Sequence, residues 1–179
     1  ITFEFSEIIE GQDSYLYDPA NPVPFITEPT SAQIGGPDNY SPIERRDDVL
    51  VYTSDVLKEE ITVLGEVKAY LYVTSDAKDT DFTAMLTDVW PNGYSQRLCD
   101  GIVRTRYRKG MDKVVFLEEG INEVEIDMWN TGHTFKRDHR IRVDISSSAF
   151  PKYSRNLNNG SYDLYSESEI RVARNSVLH

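Results

Sequence analysis

Apolar and polar residues alternate with a period of two along most of the chain after residue 49. In EVKAYLYVTS (66–75), positions 67, 69, 71 and 73 are apolar, and Lys, Tyr, Tyr and Thr occupy the positions from 68 to 74 between them. This alternation is typical of a β-strand that buries one face. The segment FTAMLTDV (82–89) repeats the pattern, so the sequence predicts a second half-buried strand there.

A turn and further strands follow these two. PNGY (91–94) contains Asn-Gly, which accepts positive φ without strain. The chain then returns through SQRLCDGIVRTRY (95–107), and the two runs predict a β-hairpin. NEVEIDM (122–128) and RIRVDIS (140–146) also alternate, the latter with Arg, Arg and Asp on its polar face, and a weaker strand is expected near 170–177.

The pattern predicts one all-β domain over residues 1–179. About eight strands without helical crossovers indicate an antiparallel sandwich or jelly roll. Six of the eight prolines lie between positions 19 and 42, where proline prevents a helix or a central strand. We therefore expect a first strand at Ile1–Phe5, an extended proline-rich N-terminal arm over 6–48, and the sandwich core over 49–179.

The charge and composition of the chain disfavour several classes of binding partner and site. The net charge of −11 disfavours nucleic acid and anionic membranes, and no apolar run approaches the ~20 residues of a membrane span. We interpret RTRYRK (104–109) as a strand with outward arginines rather than a nucleic-acid site. Cys99 is the single cysteine, which excludes an internal disulfide and a multi-cysteine zinc site. The chain does not begin with Met, so we expect it to be part of a longer product, and nothing in it indicates a compartment.

Common catalytic patterns are missing. The sequence contains no G-x-S-x-G elbow, no G-x-x-x-x-G-K-[ST] and no G-x-G-x-x-G. The three histidines, His133, His139 and His179, lack the spacing of a helical zinc site, and we interpret His133 as part of a loop entering a strand. A nucleophilic pair of Cys99 with His133 is an alternative, but a thiol in a buried strand is normally inert. We assign no catalytic residue and no cofactor-binding residue.

The stretch DAKDTDFTAMLTDVWPNG (76–93) concentrates four aspartates. Asp76, Asp79 and Asp81 have a spacing that would suit a calcium loop, but the glycine and the closing glutamate of an EF-hand are lacking. We favour a structural role, in which Asp76 and Asp79 cap or turn the chain and Asp81 pairs with Arg104 or Arg106. We therefore assign no metal ligand and expect no cofactor.

Three stretches together resemble a known family: DTDFTAMLTDVWPNGYSQRLCDGIVRTRYR (79–108), HTFKRDHRIRVDISSSAFPKYSRNLNNG (133–160) and DSYLYDPANPVP (13–24). The chain resembles the C-terminal non-catalytic domain of hydrolases grouped with X-prolyl dipeptidyl aminopeptidase, cocaine esterase, glutaryl acylase and α-amino acid ester hydrolase. The resemblance implies a jelly-roll β-sandwich of galactose-binding-like type, appended to an upstream α/β-hydrolase domain that carries a Ser-Asp-His triad.

The same resemblance bears on both ends of the chain. It implies that His179 is not the triad histidine and that relatives continue with a further strand, so we expect the sandwich to lack its final strand. The segment 13–24 is similar to the passage from the catalytic body into the sandwich. The arm would then lie along the interface with the hydrolase domain, or alternatively cover an edge of the domain's own sheet.

The leading hypothesis is a non-catalytic module of a serine hydrolase that supports the catalytic domain, shapes its cleft and contributes to homo-oligomer contacts. The first alternative is a stand-alone carbohydrate- or calcium-binding jelly roll, which would use exposed aromatic rings for stacking. Its candidate residues are Trp90, Trp129, Tyr153, Tyr162 and Tyr165. The second alternative, a complete small enzyme, is disfavoured because the sequence offers no set of nucleophile, base and orienting group.

Overall fold

The computed structural model describes residues 11–26, 38–162 and 169–179. Within these ranges the chain forms eight strands: β1 (Gln12–Tyr17), β2 (Leu50–Thr53), β3 (Ile61–Ser75), β4 (Asp81–Val89), β5 (Ser95–Arg104), β6 (Asn122–Phe135), β7 (Arg140–Ser146) and β8 (Ala173–Leu178). Two short 3-10 turns cover Ile43–Arg45 and Thr105–Tyr107. The strand predicted at Ile1–Phe5 lies outside the described residues.

The strands form two four-stranded sheets. The first has the order β1-β8-β3-β6 and the second the order β2-β7-β4-β5, and every neighbouring pair is antiparallel. The prediction of an all-β sandwich is therefore confirmed. The galactose-binding-like detail and the domain boundaries stay predictions. Among the described residues, no helix is long and apolar enough to cross a membrane.

The predicted hairpin is formed by β4 and β5, with Phe82 opposite Val103. Its turn closes through a hydrogen bond of 2.8 Å from the Trp90 amide to the Tyr94 carbonyl. Gly93 adopts a φ of +84° in this turn, a conformation that glycine reaches without steric cost. The Asn-Gly signal in the sequence thus marks the turn correctly.

The main core lies between the sheets. Fully buried members from both sheets include Val73, Phe82, Ile126, Phe135 and Ile145.

The sheets approach each other closely at Gly101 of β5, which faces β6. A Cβ atom at Gly101 would lie 2.0 Å from the carbonyl oxygen of Asp127, so this position admits no side chain. Close backbone approach is a recognised use of glycine within a strand.

The second sheet is covered on its outer face as well. All nine residues of β4 are buried, whereas the sequence pattern predicted one exposed face. Four residues outside the sheet, Val23, Tyr40, Ile43 and Val49, pack with Met85 in a second apolar cluster. The prediction of a half-buried strand was therefore wrong because it took no account of the segment that packs over this face.

The proline-rich arm is fastened by backbone contacts. Pro24 forms a parallel bridge with Phe150, and Asn39 forms an antiparallel bridge with Gln96 on β5. The Tyr40 amide donates to the Ser95 carbonyl at 2.8 Å. Residues 38–40 therefore extend along the edge strand β5, as the edge-covering alternative expects. The region assigned to the arm also contains β1, which precedes the first proline.

Candidate functional site: a buried aspartate and arginine network

The start of β4 and the end of β5 bring two aspartates and two arginines together. The hairpin register places Asp81 directly opposite Arg104. Asp79 precedes β4, and Arg106 lies in the 3-10 turn that follows β5. The four side chains are thus adjacent because the chain reverses between them, and Asn156 reaches the same place from the segment after β7.

Asp79 is fully buried, with 0% exposure. Its Oδ2 accepts hydrogen bonds from Arg106 Nε and Asn156 Nδ2, each at 2.8 Å. Its Oδ1 accepts from the backbone amide of Arg106, also at 2.8 Å. Both oxygens are therefore occupied by protein donors, which replace the hydrogen bonds to water that the carboxyl group loses on burial.

Asp81 is held in a similar way. Arg104 donates from Nε and Nη2 to the two carboxylate oxygens, each at 3.0 Å, which is a bidentate pair. Asn156 Nδ2 adds a third bond at 2.8 Å. Burial raises the pKa of the Asp81 carboxyl, and the bonds from Arg104 and Asn156 oppose that shift. The predicted pairing of Asp81 with Arg104 is confirmed.

Two predictions about this region need correction. Arg106, interpreted as an outward arginine on a strand, lies in a 3-10 turn and is 1% exposed, because its guanidinium pairs with Asp79. Asp79, expected to cap or turn the chain, is instead that ion-pair partner. Asp76 lies apart from the pair and accepts a bond of 2.9 Å from the Arg174 amide.

The network leaves little scope for acid-base or metal chemistry. The lone pairs that would bind calcium point at guanidinium and amide donors. Over residues 11–26, 38–162 and 169–179, no three His, Cys, Asp or Glu side chains form a group that could hold a metal ion. The arrangement is therefore a structural clamp that connects the hairpin to the loops at this end of the sandwich.

The histidines occupy other places. His133 Nε2 and His139 Nδ1 lie 2.9 Å and 2.8 Å from the two oxygens of the buried Asp88. His133, interpreted as part of a loop, belongs to β6. His179 Nε2 lies 3.0 Å from Asp13. No motif spacing indicated the two bonds to Asp88, since they span 45 and 51 residues of sequence.

Cys99 lies on β5 and is buried. Burial raises the pKa of its thiol to about 12, with a further contribution from Asp100. The thiolate needed for nucleophilic attack is therefore scarce at neutral pH. The ring of His133, its hypothetical partner, is bonded to Asp88.

Another buried carboxylate, that of Asp144, lies beneath the arm. Asp144 on β7, placed by the sequence pattern on a polar face, is 6% exposed. Neither of its oxygens has a hydrogen-bond partner among the described residues. It lines a cavity of about 20 Å³ between the sheet and the arm, which is about the volume of one water position. Burial raises its pKa to about 8, and Glu44 adds to the shift while Arg142 opposes it.

The aromatic candidates for stacking are dispersed. Trp129 is 72% exposed on β6 and Tyr162 is 67% exposed beyond β7. Trp90 packs near Tyr94, with ring centroids 5.2 Å apart, and Tyr153 donates to Asp100 at 3.0 Å. Tyr165 lies outside the described residues.

Comparison with known proteins identifies the family. Residues 13–179 match the family described as the X-Pro dipeptidyl-peptidase C-terminal non-catalytic domain. The chain belongs to this family. It is 51% identical over 154 residues to cocaine esterase from Rhodococcus sp. (strain MB1 Bresler), which covers 84% of this chain and 27% of the esterase.

Solved structures agree with this membership. An aminopeptidase from the marine sediment archaeon Thaumarchaeota archaeon superposes with a TM-score of 0.85 at 32% identity, covering 94% of this chain and 31% of that one. An α-amino acid ester hydrolase gives 0.86 at 26% identity, covering 94% and 30%. The chain spans less than a third of each of these relatives. It is a non-catalytic C-terminal domain of this hydrolase family, and the stand-alone carbohydrate-binding alternative finds no support in these relatives.

Proposed function

We propose that this domain packs against a catalytic α/β-hydrolase domain of a serine hydrolase, supports its architecture and borders its cleft. The parent enzyme would cleave ester or peptide bonds, as the names of the relatives indicate for those proteins. The observation that carries the proposal is the match over residues 13–179 to a domain that occupies 27–31% of longer hydrolases.

The side chains of the described residues support a non-catalytic role. The candidates for acid-base chemistry are engaged with partners inside the domain: Asp79 and Asp81 with arginines, and His133 and His139 with Asp88. A serine hydrolase needs a nucleophile, a base and an oxyanion site in one place. In this proposal the catalytic domain supplies all three.

The test replaces the matched 154 residues of the Rhodococcus esterase with this chain. We expect the chimera to hydrolyse a chromogenic ester, and the isolated 179-residue chain to show no turnover. Turnover by the isolated chain that a serine-directed inhibitor abolishes would contradict the proposal. An inactive chimera beside an active unmodified esterase would contradict the supporting role.

A further inference from the structure

A long loop connects the 3-10 turn Thr105–Tyr107 to β6. Residues 108–121 contain neither helix nor strand. Loops of more than about 12 residues without secondary structure are uncommon in compact domains and usually have a function. This loop begins at Arg108, the last residue of the stretch 79–108 that carries the family resemblance.

The loop is held from inside by two polar side chains at its ends. Arg108 donates to the carbonyls of Thr105, Val115 and Phe116, the first at 3.0 Å and the third at 3.1 Å. Asn122 Nδ2 donates to the carbonyls of Glu118 and Gly120 at 2.9 Å and 3.1 Å. These bonds satisfy backbone groups that water would otherwise have to satisfy.

Further bonds connect the loop to the aspartate and arginine network. The Val115 amide donates to the Arg106 carbonyl at 2.9 Å, and the Leu117 amide donates to the Lys78 carbonyl at 2.8 Å. The Arg106 guanidinium lies 5.9 Å from the ring centre of Phe116 and 4.9 Å from that of Tyr162. The guanidinium that pairs with Asp79 therefore also lies beside these two rings.

This ordered loop presents apolar side chains to solvent. The exposed members are Met111 (80%), Val114 (40%), Phe116 (41%), Ile121 (54%) and the adjoining Tyr162 (67%), and we call them the loop surface. The exposed charged residues in the same loop are Lys109, Asp112, Lys113, Glu118 and Glu119. An apolar centre with a charged rim is the composition of a protein interface.

We propose that the loop surface docks on the catalytic domain of the parent hydrolase, with Met111 and Phe116 entering an apolar recess there. This inference rests on the proposed function. Most of each relative lies outside the matched part, since the chain spans 27% of the esterase and 30–31% of the two solved hydrolases. A partner of that size is therefore tethered to the domain. The internal bonds order the loop before contact, which lowers the entropy cost of docking.

The esterase chimera tests the docking directly. Hydrogen exchange of residues 108–122 is compared between the isolated chain and the chimera. We expect exchange at least tenfold slower in the chimera for the loop. Equal exchange in both, with protection on another face, would overturn the docking surface and leave the proposed function intact. A chimera with no protected face, or one that fails to accumulate while the unmodified esterase does, would overturn both.

Substitutions provide the second measurement. The double variant Met111→Ser with Phe116→Ser should lower the melting temperature of the chimera by more than that of the isolated chain, because Met111 is 80% and Phe116 41% exposed in the isolated chain. The matched control is Leu64→Ser, since Leu64 is 88% exposed on β3. An equal loss in both proteins, or the same loss from Leu64→Ser, would overturn the proposal.

A second copy of the chain is the competing occupant. Sedimentation of the isolated chain distinguishes self-association through the loop surface from docking on a catalytic domain. We expect a monomer, and a dimer that the double variant dissociates would assign the loop surface to self-association instead.

Discussion

Asp79 and Asp144 are both buried carboxylates, yet they occupy opposite chemical environments. Asp79 has donors on both oxygens, including a guanidinium. Asp144 has no hydrogen-bond partner among the described residues. Burial penalises the charged form in both places. Asp79 is therefore stabilised by donors, whereas Asp144 has none and its pKa is raised by burial.

The two solutions follow from position in the fold. Asp79 precedes the β4–β5 hairpin. Arg104 lies on the return strand β5 and Arg106 in the 3-10 turn after it, so the pairing of the two strands brings both arginines close to Asp79. Asp144 lies on β7 under apolar residues of the arm, and the nearby Arg142 is paired with Glu44. Asp79 thus depends on its hydrogen-bond partners, whereas the raised pKa of Asp144 makes its contribution to stability depend on pH.

The largest expected effect comes from removing the cation beside Asp79. Arg106→Met leaves a buried carboxylate without its charge partner, and breaking such a pair costs about 3–5 kcal/mol. Urea unfolding followed by circular dichroism measures this loss in the free energy of unfolding. The double variant Arg106→Met with Asp79→Asn should recover part of it. A loss below about 1 kcal/mol would mean that the pair contributes no more than an exposed one.

The next prediction concerns Asp144, the buried carboxylate that has no hydrogen-bond partner among the described residues. The pKa of Asp144 in the folded state, about 8, exceeds the unfolded value of about 4. Between these values the folded state binds the extra proton, so the free energy of unfolding falls as pH rises. The limiting slope is about 1.4 kcal/mol per pH unit, or about 2 kcal/mol from pH 6 to 7.5.

Asp144→Asn should remove this dependence, so the variant gains stability relative to the parent chain as pH increases. Urea unfolding at several pH values between 5 and 8 checks the slope. Asp55→Asn, at an exposed position, is the control and should retain it. A variant with the same slope as the parent chain would show that Asp144 is ionised throughout this range.

A smaller effect separates charge from geometry at Asp81. Arg104→Lys keeps the positive charge but loses the fork that binds both carboxylate oxygens. We expect a loss of about 1 kcal/mol, the net contribution of one hydrogen bond. Thermal unfolding measures it, and a loss as large as that of Arg106→Met would mean that bidentate geometry dominates the cluster.

The smallest expected effect comes from an exposed ion pair, which serves as a reference for the buried ones. Lys68 and Glu125 form an ion pair of 2.8 Å on the solvent face of the first sheet. Lys68→Met should leave the melting temperature unchanged within error, because exposed pairs contribute little. A clear drop in the melting temperature would mean that this exposed ion pair stabilises the fold more than its exposure to solvent predicts.

Local features of this domain could be read from the sequence, and features that depend on distant packing could not. The period of two and the Asn-Gly turn identify the β4–β5 hairpin, and the hairpin brings Asp81 opposite Arg104. The burial of both faces of β4 depends on Val23 and Tyr40, which no periodicity connects to that strand. The bonds from two histidines to Asp88 likewise arise at long range, since His133 lies on β6 of the other sheet and His139 immediately precedes β7, which pairs with β4.

The contact between Gly11 and His179 has a mechanical consequence. Their backbones exchange two hydrogen bonds, of 2.9 Å and 3.1 Å, at one end of the β1–β8 ladder. A force that separates these two residues would load the ladder bonds one after another, as in opening a zipper, rather than all at once in shear. The β1–β8 contact would therefore yield at low force, while the sandwich behind it stays closed.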